Sequence, residues 1–293
     1  MAFLAYAAYA LVLTSACLYL FWHGRFLKTP LNNTNIALVI AHPDDEVMFF
    51  GPTLAELTRP EYNNQVRVLC LSSGNHDGLG DVRKKELVNS LKTFGLRENH
   101  LTILDREDLK DGPKEMWDLS LVGDQMNLFA KKHAIETLIT FDERGVSGHT
   151  NHIACFLGLS YFVRTFKDRT TVKYCYVLKT VSLLRKYISI LDLPATMLFT
   201  EALLPLVSQI TGVGAAASLI GAENSITNPG RGGSGGSNRR VLRPKDLLFV
   251  SPIPAVVQAK AAMQKHESQM VWFRKIYVVA SRYMAINELR RVM

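Results

Sequence analysis

Apolar residues recur along the chain in short, nearly unbroken runs: Ile36 to Ile40, Val66 to Leu71, Leu101 to Leu104, Thr137 to Phe141 and Tyr174 to Leu178. Runs of this length without alternation read as strands buried on both faces, as in a parallel sheet. Between them, Glu46 to Leu57, Val82 to Phe94, Met116 to His133 and Asn151 to Phe166 set apolar residues three and four apart, the spacing that loads one face of a helix. The alternation predicts an α/β fold: a Rossmann-like, mostly parallel sheet flanked by helices. In such a sheet the ligand crevice opens beyond the carboxyl ends of the strands. Four polar clusters fall there: Ala41 to Glu46, Ser72 to Asp77, Asp105, and Asp142 to His152.

The pattern differs at the two ends. Met1 to Trp22 contains no Lys, Arg, Asp or Glu, and a helix of that length reaches about 33 Å, enough to cross a hydrocarbon core. The first positive charges, Arg25 and Lys28, follow the apolar run rather than precede it. That order predicts a retained anchor, not a cleaved signal peptide, with everything downstream on the cytoplasmic side. After Tyr187 the regularity weakens. Ala202 to Ala222 is uncharged, but the next stretch, Arg231 to Lys245, holds five basic and no acidic residues. A true second span would put that cluster on the wrong face of the membrane, so a peripheral or re-entrant segment is expected. Pro229 to Asn238, PGRGGSGGSN, is a flexible linker. Asp246 to Val250 reads as a returning strand. Ala255 to His266 and Trp272 to Met284 read as two apolar-faced elements that complete the domain, with the aromatic and basic residues of the latter in core contact or touching lipid.

Composition narrows the class. Hydrophobic residues make up 48% and charged residues 20% of the chain, enough to bury a core. The formal net charge of +8 comes with no recognition-helix, zinc-finger or RNA-binding signature, so nucleic acid is not expected, and the membrane surface is the partner the charge favours. Four cysteines, Cys17, Cys70, Cys155 and Cys175, lack CxxC spacing and predict free thiols in a reducing compartment.

The clusters carry the chemistry. His42, Pro43, Asp44, Asp45 and Glu46 follow a strand and open a helix. An aspartate there caps a helix, but capping does not account for the adjacent imidazole. Gly145, Gly148, His149 and His152 form a glycine-bracketed HxxH beyond another strand of the same sheet. Together the two clusters predict a two-histidine, one-carboxylate metal site with an open position, suited to a hydrolytic zinc and equally to ferrous iron.

At these residues the chain resembles the de-N-acetylases of the LmbE/PIG-L superfamily, closely the branch acting on N-acetylglucosaminyl-phosphatidylinositol. The resemblance is carried by AHPDDE (Ala41 to Glu46), LSSGN (Leu71 to Asn75), RKKEL (Arg83 to Leu87), TFDERGVSGHTNH (Thr140 to His152) and LRKYISILDLP (Leu184 to Pro194). It covers about residues 34 to 200 and resumes from 246 to 287. With the apolar run read as an anchor at 1–24, the resemblance implies a de-N-acetylase core at 34–200 and a C-terminal part of the catalytic domain at 246–293, with 201–245 between them as an insertion. Carried over by position, it implies a divalent metal, zinc by family habit, held by His42, Asp45 and His152. Asp44 is then the general base, His149 stabilises the oxyanion or protonates the leaving amine, and Arg83 binds the substrate's polar head. The implied reaction is hydrolysis of the acetamide of N-acetylglucosaminyl-phosphatidylinositol, an early step of GPI-anchor biosynthesis. Its place would be the endoplasmic reticulum membrane, with a single pass and a cytoplasmic catalytic domain.

Overall fold

The structure, a computed structural model, describes residues 2–25, 31–112, 115–199 and 246–293. Seven strands form one sheet: β1 Asn35–Ile40, β2 Gln65–Cys70, β3 Leu101–Ile103, β4 Thr137–Phe141, β5 Tyr174–Leu178, β6 Leu247–Val250 and β7 Ile286–Arg291. Their order is β3-β2-β1-β4-β5-β7-β6. The first five are parallel, each the product of one of the expected apolar runs. β7 runs antiparallel to both β5 and β6, which makes the sheet mixed. The uninterrupted runs are explained by helices on both faces, which leave β1 and β4 with no residue more than half-exposed.

Two helical expectations change. The stretch read as one helix, Glu46 to Leu57, is broken into α2 (Asp45–Met48) and α3 (Gly51–Leu57), with Phe49 and Phe50 between them and Pro52 in the first turn of the second. Pro52 lacks the N–H that a continuous helix would need. The other helices are α4 Gly80–Lys92, α5 Leu119–Lys132, α6 Gly145–Gly148, α7 Thr150–Phe166, α8 Leu183–Lys186, α9 Leu193–Phe199, α10 Ile253–Met263 and α11 Trp272–Ala280. The element read through Met284 therefore stops at Ala280, and a single turn, Arg282–Met284, leads into β7.

N-terminal helix α1 spans Ala2–Arg25, 24 residues. Over the residues whose side chains the structure describes, no helix is long and apolar enough to cross a membrane, so the bilayer span expected of Met1 to Trp22 is not shown. The C-terminal part of α1 docks on the domain. Leu18 and Tyr19 pack with Leu193, Met197, Val250 and Ile286, and Tyr19 Oη donates to the Ser251 carbonyl at 3.3 Å. The expectations for Ala202 to Ala222, the linker and the basic cluster Arg231 to Lys245 lie outside the described residues, as does Lys28.

The strand order reverses at β1, whose neighbours β2 and β4 lie on opposite sides. A crevice at the carboxyl ends of β1 and β4 is thereby fixed by topology, and the two histidine-bearing clusters follow these two strands.

Candidate active site

β1 ends at Ile40 and the chain turns sharply through His42 to Asp44. Asp44 sits at φ 102°, in the left-handed region that non-glycine residues rarely adopt. The turn is held from within. Asp45 Oδ2 accepts the backbone N–H groups of Ala41 (3.0 Å) and His42 (2.9 Å), and Glu46 Oε2 accepts that of Asp44 (2.9 Å). From β4, Asp142 builds the opposing loop: Oδ1 accepts the amides of Arg144 and Gly145, and Oδ2 accepts that of Thr180 beyond β5. His149 caps α7, its Nδ1 accepting the Asn151 amide at 3.3 Å, and His152 follows on the first turn.

The two loops bring His42, Asp45, His149 and His152 together. Ring nitrogens of the three histidines lie within 4.8 Å of one another. Proton placement follows from the hydrogen bonds. His152 Nδ1 donates to the Gly145 carbonyl at 3.0 Å, and Nε2 faces Asp45 Oδ1 at 3.1 Å. His42 Nε2 donates to Asn151 Oδ1 (3.0 Å) and lies 3.1 Å from Asp111 Oδ1, which turns Nδ1 toward Asp45 Oδ2 at 3.8 Å. Two imidazole nitrogens thus converge on one carboxylate. A donor set N, N, O fits a divalent ion of the zinc class, and the contacts to Gly145, Asn151 and Asp111 are of the kind that orient a histidine toward a metal. Burial pushes the Asp45 carboxyl up, but His152 and His42 beside it outweigh that and hold it well below the usual carboxylate range.

Asp44 points differently. Burial dominates and raises its carboxyl above the ordinary value, against the pull of Arg274 and Arg83. Arg274 Nη1 bonds to Asp44 Oδ2, and Arg83 Nη2 lies 3.7 Å from the same oxygen. Arg83, expected at the substrate's polar head, is only 7% exposed; its Nη1 and Nη2 are engaged by the protein, while its buried Nε meets no hydrogen-bond acceptor. Nη1 reaches the Gly74 carbonyl and Nη2 the Pro43 carbonyl, each at 2.7 Å, with Asp111 at 3.4 Å. Gly74 is required there: at φ 69° it is left-handed, and a Cβ would lie 2.3 Å from Arg83 Nη1. Burial, followed by the charges of His152 and His42, drives His149 down to about 4. It is therefore a neutral imidazole whose Nδ1 accepts and whose Nε2 carries the proton.

Phe141 stacks on His152 with centroids 4.1 Å apart, while Phe49 and Trp117 meet the imidazoles edge-on, closing the site with apolar walls. Asp105 stands apart from this centre, paired with Lys84 at 2.6 Å.

The family model for GlcNAc-PI de-N-acetylases matches residues 37–162, the segment that contains both loops. N-acetylglucosaminyl-phosphatidylinositol de-N-acetylase of Bos taurus is 35% identical over 263 residues, covering 89% of this chain and 84% of its own. The chain belongs to the GlcNAc-PI de-N-acetylase family. A probable member from Schizosaccharomyces pombe is also 35% identical, over 88% of this chain and 86% of its own. Among solved structures, the zinc-inhibited form of teicoplanin deacetylase superposes with a TM-score of 0.50 at 12% identity, covering 88% of this chain and 97% of that one, and shares the fold.

Four supporting residues of this site play no part in the sequence reading, and three of them, Asp111, Arg274 and His266, whose Nε2 meets Glu46 Oε1 at 2.6 Å, carry no signal there. Asp111 comes from an irregular stretch, Arg274 from a basic-aromatic helix read as packing or lipid contact, and His266 from the far end of the chain. Asn151 sits inside the GHTNH run between two histidines, where adjacency alone gives it away.

Proposed function

We propose that this member of the family hydrolyses the acetamide of N-acetylglucosaminyl-phosphatidylinositol to glucosaminyl-phosphatidylinositol and acetate. The observation that carries the reading is the convergence of His42 Nδ1, His152 Nε2 and the Asp45 carboxylate beside a buried, raised-pKa Asp44. His42, Asp45 and His152 are the residues that would hold the metal, with zinc the ion this donor set and the family favour. When bound, such an ion lowers the pKa of a coordinated water toward about 7 and polarises an amide carbonyl. Asp44 takes the proton of the attacking water as the new C–O bond forms, a role its raised pKa suits. His149 presents Nε2–H to the oxygen that gains negative charge. The C–N bond then breaks, and the proton held by Asp44 goes to the leaving amine. Arg83 and Arg274 fix the carboxylate of Asp44, and any contact of Arg83 with the substrate's polar head comes in addition to that.

The reading includes residues 1–24 as a membrane anchor, residues 34–200 with 246–293 as the catalytic domain and 201–245 as an insertion. It places the enzyme in GPI-anchor biosynthesis at the endoplasmic reticulum membrane, single-pass, with the catalytic domain in the cytoplasm. Support comes from the uncharged run Met1 to Trp22 followed by Arg25 and Lys28. The deciding experiment measures acetate release from the lipid by wild type, Asp44→Asn and His152→Ala, with metal content assayed on each. Asp44→Asn should keep its metal and lose about 10²- to 10⁴-fold in kcat, whereas His152→Ala should lose the metal. A metal-free wild type that releases no acetate sinks the assignment.

A further inference from the structure

Helix α8 reads LLRK and is followed by Tyr187; α11 reads WFRKIYVVA. Neither contains an acidic residue. The two basic neighbours on α8 have opposite surroundings. Arg185 is bound to Asp192 through Nε at 2.6 Å and to Thr196 at 3.0 Å. Lys186 is 9% exposed, and its ammonium lies 5.8 Å from the centre of the Tyr187 ring and 5.7 Å from that of Tyr277. Among the described residues no carboxylate pairs with it, and burial alone lowers its pKa. Two aromatic faces offset part of the cost of desolvating a cation, but they leave its N–H donors without an anion.

The position of Lys186 joins the reaction centre to an apolar rim. Tyr277 Oη donates to the Met48 carbonyl at 2.8 Å, directly behind the Asp44 turn. One turn earlier on the same helix, Arg274 bonds to Asp44. The outer face of α11 is exposed and apolar: Trp272 is 74% and Ile276 55% accessible, and on α8 Leu183 and Leu184 stand 73% and 75% accessible. Lys275 is exposed beside them. Apolar side chains flanked by Lys and aromatic residues, with no acid among them, match the interfacial zone of an anionic lipid leaflet in both polarity and charge.

We propose that Lys186 binds the phosphodiester of a membrane lipid, with Leu183, Leu184, Trp272 and Ile276 seated in the leaflet around it. This rests on the lipid-substrate reading and adds to it a specificity site remote from the metal-binding residues. The aromatic cage and Tyr277 set the phosphodiester and the scissile acetamide on opposite sides of one helix turn, which suits a headgroup whose sugar reaches Asp44 while its acyl chains remain in the bilayer.

The test titrates the full-length protein in nonionic detergent with dihexanoyl-phosphatidylinositol and with glycerophosphoinositol, which has the same phosphodiester and no acyl chains. Lys186→Met should weaken dihexanoyl-phosphatidylinositol by about 10- to 100-fold, the loss of one charge-assisted contact. Lys186→Arg should retain binding within about threefold, since it keeps the charge. Leu184→Ser with Trp272→Ser should bring the lipid's affinity down to that of glycerophosphoinositol. Unchanged affinity in Lys186→Met overturns the proposal, as does equal binding of the two probes by wild type, which would assign the site to a free phosphodiester. The readout is binding, so a wild type that binds the lipid but releases no acetate defeats the hydrolytic reading and leaves this site standing.

Discussion

The electrostatics of the centre depend on backbone positions as much as on side chains. Gly145 sits at φ 56°, and a Cβ there would lie 2.8 Å from His152 Cβ. Its carbonyl fixes which nitrogen of His152 carries the proton. Gly145→Ala should therefore displace the acceptor that orients His152 and weaken metal affinity by about 10- to 100-fold, the usual scale for losing an outer contact. Competition against a chelating indicator measures this directly; an unchanged affinity would mean that the Gly145 carbonyl does not set the tautomer. At this scale the sequence was informative about ligand-type residues and silent about their supports. His42, Asp44, Asp45, His149 and His152 announce themselves because imidazoles and carboxylates crowd two strand ends. Asp111 and Arg274 act through long-range contacts, the latter 230 residues away from Asp44, and no local pattern encodes such a meeting.

Between elements, the α2 turn is tied to the C-terminal part of the chain by a fully buried pair. Glu46 Oε1 accepts from Ser90 Oγ on α4 and meets His266 Nε2, each at 2.6 Å, just beyond α10. Burial alone would lower the His266 pKa, but Glu46 outweighs it and the net shift is upward. A histidine whose folded pKa exceeds its ordinary value of about 6.5 contributes its full stabilisation below that pH. The contribution is lost as pH rises through the folded value. Denaturant midpoints should accordingly fall from pH 6 toward pH 9 by more in wild type than in His266→Gln. Removing the imidazole by His266→Ala should cost about 3–5 kcal/mol at pH 6, since Glu46 is left buried without its cationic partner. Equal pH slopes in wild type and variant would refute the linkage. The same contrast explains what was legible among the elements. β1, β2, β4 and β5 are apolar runs and were plain, whereas β7 reads INELRR. Its first two polar residues are buried and paired internally: Asn287 bonds to Thr53 and to the Phe49 carbonyl, and Glu288 Oε1 meets Lys179 at 2.5 Å. Internal pairing of this kind erases the hydropathy signal of a strand.

For the molecule as a whole, the proposed anchor and the proposed lipid-facing rim of α8 and α11 must meet one membrane surface together. Helix α1 has two unlike parts. Tyr6, Tyr9, Val12 and Leu13 are exposed, while Ser15, Leu18 and Tyr19 meet the domain near α9 and β6. If the exposed part is the membrane-seeking one and the packed part is a structural strut, the two functions separate on deletion. Loss of residues 1–12 should reduce flotation with liposomes while leaving the melting temperature within about 2 °C of wild type, the shift expected when little buried surface is lost. Loss of residues 1–25 should also lower the melting temperature, because it uncovers Leu193, Met197 and Val250. Liposome binding that survives both deletions would move the membrane-seeking role to the rim of α8 and α11. That outcome can be told apart by the Leu184→Ser and Trp272→Ser pair, which should abolish the residual binding in the deleted chain and only weaken it in the intact one. A shorter deletion that already destabilises the fold would show instead that the exposed part of α1 is a structural element of the domain.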